Sequence, residues 1–488
     1  MRNSHCMNRN IVLAFFISFL VCFPMKAQEG SPTIITLDDA LRIALSENVA
    51  VKVADKEIER TEYARKGTYA SLLPQVDAVG SFQRTIKKQV MYMDFDMSAF
   101  AGGGESGETP SQDSGNISSD AVPSDDGSSK SSGGIEVGRW NTYSGGISAM
   151  MPLVNAQLWK SIEISGQEVE MAVEKARSSR LDMVTQVKEA YYSVLLAKEA
   201  LNVYKEVYDN AMANYSQTEK RHNAQKASDL ELTRAKSAVS NAVPNVFNAE
   251  SSVILALWQL KAVMGVDLDM DIDVAGSLED YGKSMLFDVN EAEAMNLDYN
   301  TTMRQLAIQA EEMANNVKIQ QYAYLPTLAA NFAYSVNAMT NDFNFKEYRW
   351  TPYSYFGLSL SIPIFSGGKR LNDVRAAKVQ AEELDLQRAD TERQLKIGIR
   401  QYLNTMEARM KSHAAALDAV ETARKAYDIA QKSYNVGRST ITDLNDAQLG
   451  LTQARLSVSQ AIFDFEVAKA NLEKILGCDV TGEPVFWK

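Results

Sequence analysis

Cysteine, histidine and proline are scarce in this chain of 488 residues, which contains three cysteines, three histidines and 11 prolines. Thiolate and imidazole ligands are therefore too few for most metal sites. Long stretches without proline allow long helices, because proline breaks the helical hydrogen-bond ladder. Positive charge is also in deficit, since 50 basic and 62 acidic residues leave a formal net charge of −12. This balance argues against nucleic acid as a partner, because phosphate recognition needs a basic face.

No catalytic constellation is visible, and we expect a protein that is not an enzyme and has no cofactor or bound metal. His222 and His413 stand alone on predicted helices, which is typical of solvated or core histidines. The alternating aspartates of residues 267–273 lack the glycine and the glutamate that complete a calcium loop, and we prefer a short exposed strand there. The glycines of residues 102–104 are not followed by the Lys-Ser/Thr pair of a phosphate loop.

Residues 1–27 are typical of a secretory signal peptide. Arg2 and Arg9 precede an apolar run over residues 11–25, and Ala27 offers a cleavage point. The run is too short to span a membrane comfortably as a permanent helix. We therefore expect an exported protein.

Cleavage after residue 27 would remove three positive charges and leave a mature chain of charge −15 with Cys478 as its one cysteine. A single thiol excludes an intramolecular disulfide. Lipid modification of Cys22 is an alternative, although Val21 is bulkier than the small residue that such processing prefers.

The mature chain contains two copies of one pattern, which we place at residues 28–277 and 278–488. The offset in residue number between recurring anchors is 252 for Leu73 and Leu325, 211 for Pro152 and Pro363, 214 for Asp229 and Asp443, and 212 for Met264 and Leu476. Three offsets agree closely, and the first is larger because the first copy carries an extra loop over residues 101–134. Such a duplication constrains the fold.

The loop of residues 101–134 has the composition of a disordered segment. Glycine and serine make up more than half of it, acidic residues outnumber its one basic residue, Lys130, and none of its residues is aromatic. A segment of this kind cannot bury enough apolar area to offset its ordering entropy. We expect a solvent-facing insertion between two strands.

Each copy predicts a helix, two strands, a long helix and a shorter helix. Apolar residues alternate with small or polar ones in the four strands, most clearly at Leu328, Ala330, Phe332, Tyr334 and Val336 and at Phe356, Leu358, Leu360, Ile362 and Ile364. About ten residues per strand suit a tilted membrane-spanning strand. Aromatic residues at the strand ends resemble an interfacial girdle. A small soluble antiparallel sheet is the alternative.

The long helices are predicted over residues 155–222 and 366–434, neither of which contains proline. Each would be about 100 Å long at 1.5 Å per residue. Helices of about half that length are predicted over residues 37–73, 227–264, 288–325 and 440–476. Two half-length helices stacked end to end would match one long helix, which favours a long helical barrel. An ordinary helical bundle explains the apolar spacing equally well.

Four strands are too few to close a barrel in a membrane. Every backbone group in lipid must be paired, so a spanning sheet has to close on itself, and bacterial barrels begin at about eight strands. Two chains would give eight strands and a filled interior, whereas three would give twelve and a lumen. Membrane-spanning strands therefore predict an oligomer.

The junction SIPIFSGGKR at residues 361–370 and the turn YNVGRSTITDLNDAQLGLTQAR at residues 434–455 resemble the TolC family of outer-membrane efflux channels. The likeness covers essentially the whole mature chain. It implies a mainly α fold with a small transmembrane β part: a trimeric 12-stranded β-barrel, with four strands per chain, continued by a long α-helical periplasmic barrel. It also implies an outer-membrane location in contact with lipid, and partnership with a periplasmic adaptor and an inner-membrane RND or ABC transporter.

Two tight turns are predicted at the helix ends far from the strands, over residues 221–228 and 436–440. Gly437 can supply the positive φ that stops a long helix, and Asn223 is assigned the matching position in the first copy. By resemblance, Asp443 and Asp446 correspond to acidic residues that ring the periplasmic constriction of the family.

By the same resemblance, Tyr434 and Asp229 correspond to positions whose polar links hold these helical tips closed. The family has a basic residue two positions after the turn glycine. Here Ser439 lies at that position, and we leave open whether the neighbouring Arg438 makes the link.

Simpler roles exist for the two acidic residues. Thr440 and Asp443 have the spacing of a capping box, so Asp443 could serve only the helix N-terminus. Asp446 lies beyond the first helical turn, where capping gives no reason for a carboxylate, and a solvated helix face is its alternative. Like charges from three copies around one axis would favour cation binding.

The resulting functional expectation is a passive exit duct that carries solutes from an inner-membrane pump across the outer membrane, gated at the helical tips. The alternative is a periplasmic coiled-coil adaptor or scaffold with a small soluble sheet.

Overall fold

The computed structural model describes residues 33–91, 135–283, 285, 297–344 and 347–477. The predicted signal peptide, Cys22, the loop of residues 101–134 and Cys478 lie outside the described residues. The chain divides into two units. Residues 66–163 and 317–374 form the first, which contains a four-stranded sheet, and the remaining described residues form the second.

The described helices are α1 (Leu37–Glu47), α2 (Val49–Ala70), α3 (Ala156–Asn223), α4 (Asp229–Met264), α5 (Leu278–Gly282), α6 (Thr301–Tyr322), α7 (Lys369–Asn435) and α8 (Ile441–Leu476). The described strands are β1 (Thr33–Ile35), β2 (Gln75–Arg84), β3 (Gln89–Met91), β4 (Ile135–Val137), β5 (Asn141–Val154), β6 (Ile272–Val274), β7 (Thr327–Thr340) and β8 (Thr351–Ser361). Within the described ranges, no helix has an apolar stretch long enough to cross a membrane. The order helix, two sheet strands, long helix and shorter helix occurs twice, while the repeat boundaries at 277 and 278 stay a prediction.

The four predicted strands form one antiparallel sheet in the order β2-β5-β7-β8. The strands β5 and β7 each have 14 residues, longer than the ten predicted, and a bulge near Pro152 interrupts their pairing. The same end of every strand leads into a helix: α2 precedes β2, α3 follows β5, α6 precedes β7 and α7 follows β8. The connections β2–β5 and β7–β8 therefore lie at the opposite end.

The strand register separates the sheet into an apolar face and a mainly polar face. Phe82 is paired with Tyr143, and Phe332 is paired with both Ala149 and Phe356, so the apolar residues of all four strands share one side. This apolar face comprises Val76, Ala78, Phe82, Tyr143, Ile147, Ala149, Met151, Leu328, Ala330, Phe332, Tyr334, Val336, Phe356, Leu358 and Leu360. The opposite face includes Asp77, Ser81, Gln83, Ser144, Ser148, Asn331, Ser335, Asn337 and Ser359. The alternation predicted from the sequence is confirmed in the four strands, except that β8 ends at Ser361, so Ile362 and Ile364, predicted as strand positions, lie beyond it.

The two long helices agree with the sequence prediction. They have 68 residues in α3 and 67 in α7, and the shorter helices α4 and α8 have 36 residues each. The predicted helix over residues 37–73 is wrong in one respect, because α1 and α2 are separated at Asn48. The side chain of Asn48 donates to Val263 O at 2.7 Å and accepts from Ala50 N at 2.7 Å.

The second copy repeats this junction. Asn300 donates to Ile475 O at 2.6 Å and accepts from Met303 N at 2.8 Å, so its side chain caps α6 and contacts the end of α8. The helix predicted from residue 288 is described from Thr301, and residues 286–296 lie outside the described part. Gly477 ends α8 with φ 69°, and a Cβ there would lie 2.2 Å from Tyr299 O. Only glycine permits so close an approach.

Residues 267–273 differ from the exposed strand predicted for them. Ile272 and Val274 of β6 are buried, and β6 pairs in parallel with β1. The hydroxyl of Tyr191 donates to Ala275 O at 2.6 Å just beyond this pair. The sequence pattern showed the strand but not its partner, because β1 lies at the opposite end of the first copy.

The main apolar core of the second unit lies between α1, α3, α4, α7 and α8. Its most buried members include Leu41, Leu260, Met264, Met406 and Leu472, each at most 2% exposed. Burial of such side chains contributes about 1.5–3 kcal/mol each. Glu466 of α8 lies in the same core, only 4% exposed, and its Oε1 has no hydrogen-bond partner in the described structure.

Burial raises the pKa of Glu466, because the core disfavours its charged form. The folded state then binds the proton more tightly than the unfolded state, so the stability linked to this group falls as pH rises above its ordinary pKa of 4.5. We expect Glu466→Gln to stabilise the protein by about 1 kcal/mol at neutral pH, with the gain vanishing in acid. Thermal unfolding across pH measures this.

Glu473→Gln is the matched control. Glu473 lies on the same helix and is nearly as buried, but it forms an ion pair with Lys188 at 2.6 Å. Its replacement should destabilise the protein, because the Lys188 ammonium would lose its partner. Equal effects of the two substitutions would contradict the interpretation of Glu466.

Candidate functional site at the two helix-to-helix turns

The turns between α3 and α4 and between α7 and α8 have the same backbone geometry. Gln225 N donates to His222 O at 2.8 Å and Lys226 N to Arg221 O at 2.7 Å. In the second turn, the matching bonds run from Gly437 to Tyr434 O at 3.0 Å and from Arg438 to Ser433 O at 2.8 Å. Both patterns are Schellman endings of a long helix.

The residue with positive φ is Gly437 in the second turn, as predicted, with φ 77°. In the first turn it is Gln225, with φ 60°, so the assignment to Asn223 is wrong. Asn223 is the last residue of α3 and is still helical. The offset that separates Met264 from Leu476, which we call the repeat offset, would have placed Gln225 opposite Gly437.

Both following helices begin with a capping box. Glu231 N donates to Ser228 Oγ at 3.2 Å, and Asp443 N donates to Thr440 Oγ1 at 3.2 Å. The repeat offset also separates these two pairs, so Glu231, not Asp229, is the counterpart of Asp443. The sequence anchor that paired Asp229 with Asp443 is therefore shifted by two positions.

The carboxylate of Asp443 is occupied by this cap. Its Oδ2 accepts from Thr440 N at 2.9 Å, Thr440 Oγ1 at 2.7 Å and Ser439 Oγ at 2.9 Å. These hydrogen bonds, led by that from the Thr440 backbone, hold the pKa of Asp443 below its usual range. The capping interpretation of Asp443 is confirmed, and the side chain is also exposed.

Tyr434 joins the two halves at the turns. Its hydroxyl lies 2.6 Å from Thr218 Oγ1, and both side chains are buried, at 2% and 0% exposure. Thr218 Oγ1 donates its one proton to Asn214 O at 2.8 Å. Tyr434 is therefore the donor in the bond between the two hydroxyls.

Arg221 makes the basic contact at the turns. Its Nη1 donates to Tyr434 O at 3.4 Å, and its guanidinium carbon lies 5.5 Å from the centroid of the Tyr434 ring. The side chain of Arg438, the basic residue considered for this link, is exposed and has no hydrogen bond or ion pair to any described residue. Arg438 thus does not make the link in this conformation, because the basic contact comes from α3.

Asp229 does not contact Tyr434. Its Oδ1 lies 2.6 Å from His222 Nε2, within the first turn. His222 therefore does not stand alone, as the sequence suggested. At the repeat offset His222 matches Tyr434, so the two copies use this position differently: His222 for a local bond and Tyr434 for a bond between copies.

The side chain of Asp446 is exposed and has no hydrogen bond or ion pair to any described residue. Asp446 lies four positions after Thr442, so the two share one face of α8. Arg234 of α4 donates to Thr442 Oγ1 at 3.4 Å, and it is the counterpart of Asp446 at the repeat offset. The tip therefore places a basic residue from one copy and an acidic residue from the other on neighbouring helices.

Apolar packing supports these polar links. Tyr427, Tyr434, Ile441, Leu444 and Leu451 form a buried cluster just behind the second turn. The hydroxyl of Tyr427 is buried without a hydrogen-bond partner among the described residues. The described residues contain no group of three or more His, Cys, Asp or Glu side chains that could hold a metal ion.

A sheet with one apolar and one polar face, whose strands continue into long helices that end in tight turns, is the architecture of channel-forming proteins of the bacterial outer membrane. The family described as outer membrane efflux protein matches residues 40–266 and 295–478, and the chain belongs to this family.

Individual relatives agree with this assignment. The outer membrane protein TolC of Vibrio cholerae is 22% identical over 344 residues, which cover 68% of this chain and 76% of the relative. The alkaline protease secretion protein AprF of Pseudomonas aeruginosa is 23% identical over 343 residues, which cover 69% of this chain and 70% of the relative. The CmeC outer membrane channel of Campylobacter jejuni superposes with a TM-score of 0.66 at 16% identity, covering 90% of this chain and 85% of that structure.

These comparisons confirm the TolC-like fold class expected from the sequence, mainly α with a small transmembrane β part. They place the protein in the outer membrane with periplasmic helices, and they identify it as a channel, not an enzyme. The protein serves as an exit duct in efflux or type I secretion. A periplasmic adaptor or scaffold is excluded.

The hydroxyl pair at the turns gives a testable coupling. Thr218→Val leaves the Tyr434 hydroxyl buried without its acceptor and should lower the free energy of unfolding by about 1–3 kcal/mol. Tyr434→Phe should lower the free energy of unfolding less in this variant than in the wild type, because it removes the hydroxyl that Thr218→Val leaves without an acceptor. A double-mutant cycle by thermal unfolding measures the coupling.

Tyr427→Phe is the control, since its hydroxyl has no partner to lose among the described residues and its removal should be nearly neutral. Strict additivity of the Thr218 and Tyr434 substitutions would show that the two hydroxyls do not interact.

Proposed function

We propose that the protein works as a homotrimeric duct whose closed state is held at the two helix-to-helix turns. The observation that carries the trimer is the sheet. Its edge strands β2 and β8 each have one unpaired side, and four strands cannot close around a lumen. Pairing β2 of one copy with β8 of the next gives twelve strands from three copies, with the apolar face toward lipid and the polar face toward the lumen.

The gate proposal rests on the contacts between copies of the internal repeat. Tyr434 and Arg221 connect the end of α7 to the end of α3 through buried hydroxyls and a guanidinium–ring contact. Farther from the turns, contacts join α3 to α8: Asn210 donates to Gln448 Oε1 at 3.3 Å, and Arg455 forms an ion pair with Glu206. Opening of the tips requires at least the contacts that Tyr434 makes with Thr218 and Arg221 to break.

A constriction ring is the proposed role of Asp446. Three exposed carboxylates around one axis would attract cations. Asp443 lies one turn away, but its carboxylate is already satisfied by the cap of α8. The two carboxylates are therefore proposed to have different roles: Asp443 stabilises the turn, and Asp446 faces the permeating solute.

Energy for transport is proposed to come from partners, since the sequence shows no phosphate-binding loop. A periplasmic adaptor and an inner-membrane RND or ABC transporter are the partners that the family resemblance implies. The similarity to AprF, an alkaline protease secretion protein, keeps protein export open beside efflux of small solutes.

Weakening the turn contacts should open the duct. We expect Thr218→Val with Arg221→Gln to raise the single-channel conductance of the reconstituted protein and to sensitise cells to vancomycin, which normally fails to cross the outer membrane. The matched control is Thr218→Val with Lys432→Gln, which removes one exposed basic residue of α7 that has no ion pair among the described residues. Conductance equal in both double variants would argue against Arg221 as a gate residue.

Asp446→Asn should weaken block of the channel by multivalent cations about tenfold, since each lost charge at close range is worth about 1 kcal/mol or more. Asp443→Asn removes the same charge one helical turn away and serves as the control. It should destabilise the turn while changing cation block less. Identical cation block in the wild type and in Asp446→Asn would show that Asp446 does not face the lumen.

A further inference from the structure

A cluster of basic side chains lies at the end of the sheet opposite the helices. We call it the basic rim and define it as Arg84, Lys87, Lys88, Arg139 and Arg349. Such a cluster is unexpected in a chain of net charge −12. Arg84, Lys87, Arg139 and Arg349 form no ion pair with any described residue, and all four are exposed.

Backbone pairing and ring contacts hold the rim together. The strands β3 and β4 pair Gln89 with Val137, so the backbone segments that carry Lys87, Lys88 and Arg139 lie next to each other. Thr85 N donates to Trp140 O at 2.7 Å, and Lys88 Nζ lies 4.9 Å from the centroid of the Trp140 ring.

An aromatic cluster borders the rim on the apolar side of the sheet. Phe82 stacks on Tyr143 with ring centroids 4.8 Å apart, and Tyr143 lies 5.3 Å from Tyr348, which precedes Arg349. The register places Arg84 on the same face as Phe82, two positions further along β2. The Arg84 guanidinium carbon lies 5.4 Å from the ring centroid of Phe343.

Among the described residues, the acidic side chains near the rim compensate little of its charge. The carboxylate of Asp342 accepts from Thr340 Oγ1 at 2.7 Å and from Asn344 N at 3.2 Å, and it lies close enough to Arg139 to be influenced by its charge. Glu347 is exposed and has no ion pair among the described residues. Four of the five rim side chains, those of Arg84, Lys87, Arg139 and Arg349, therefore form no ion pair within the part of the chain that the structure describes.

The position of the rim indicates which kind of anion would bind there. The helices are periplasmic, so the opposite end of the sheet reaches the outer leaflet. Toward the rim, the lipid-facing side chains of the apolar face are followed by aromatic rings and then by guanidinium and ammonium groups. A molecule with acyl chains and a phosphate at their head would contact all three zones at once, whereas a free phosphate would use only the last.

We propose that the basic rim binds the phosphate groups of a phosphorylated glycolipid in the outer leaflet, with Arg84 at the border between acyl chains and headgroup. Arginine suits this place because its planar guanidinium binds phosphate through two hydrogen bonds while its stem packs on apolar surface. The bound lipid would fix the depth of the sheet in the membrane. This inference is independent of the gate, since it needs only the outer-membrane location.

The test is titration of the purified full-length protein, in detergent, with diphosphorylated lipid A and with its dephosphorylated form, read by native mass spectrometry. Wild type should bind the diphosphorylated lipid at least about tenfold more tightly than the dephosphorylated one, because each basic residue near an anionic surface contributes about 1 kcal/mol. The variant Arg84→Gln, Lys87→Gln, Arg139→Gln should lose this preference.

The control variant Lys236→Gln, Lys378→Gln, Lys432→Gln removes the same charge from exposed helix positions and should keep the preference. Equal binding of both lipids by wild type, or an unchanged preference in the rim variant, would overturn the proposal. Displacement of the lipid by inorganic phosphate at millimolar concentration would also overturn it, by showing that the rim binds a free anion. Trimer mobility on a gel confirms that each variant is assembled.

Discussion

The hydrogen bonds of the sheet edges are the constraint on which the remaining architecture depends. The strands β5 and β7 are paired on both sides, but β2 and β8 each expose one row of backbone donors and acceptors. In lipid such a row costs several kcal/mol for each unpaired group. One chain therefore cannot span the membrane alone. The same requirement explains why one face of the sheet is apolar and the other polar, since a closed sheet contacts lipid outside and water inside.

The two helix-to-helix turns show how a duplicated structure acquires contacts that neither copy has alone. The backbone geometry recurs position by position at the repeat offset, including both caps. The side chains differ at the positions that join the two copies. His222 bonds locally, whereas its counterpart Tyr434 bonds to Thr218 in the other copy. Arg234 and Asp446 likewise oppose each other in charge.

The fold was predictable from the sequence to a large extent because its signals are local and periodic. The long helices follow from the absence of proline throughout α3 and α7, and the strand faces follow from the alternation of apolar with small or polar residues. The capping box at the start of α8 was visible as Thr440 with Asp443. The break at Asn48 was not visible, because it depends on a hydrogen bond to Val263, which lies far along the chain. The partner of β6 was hidden for the same reason.

By itself, the sequence determined the helices, the two-faced strands, the need for several chains and the acidic residues at the turns, all of which depend on the order of neighbouring residues. Only the tertiary structure decided which side chains meet. It assigned the link to Arg221 instead of Arg438, paired Asp229 with His222, and moved the positive φ from Asn223 to Gln225. Those choices depend on distances between residues far apart in the chain, and hydrogen bonds are lost over a fraction of an ångström, so periodicity cannot decide them.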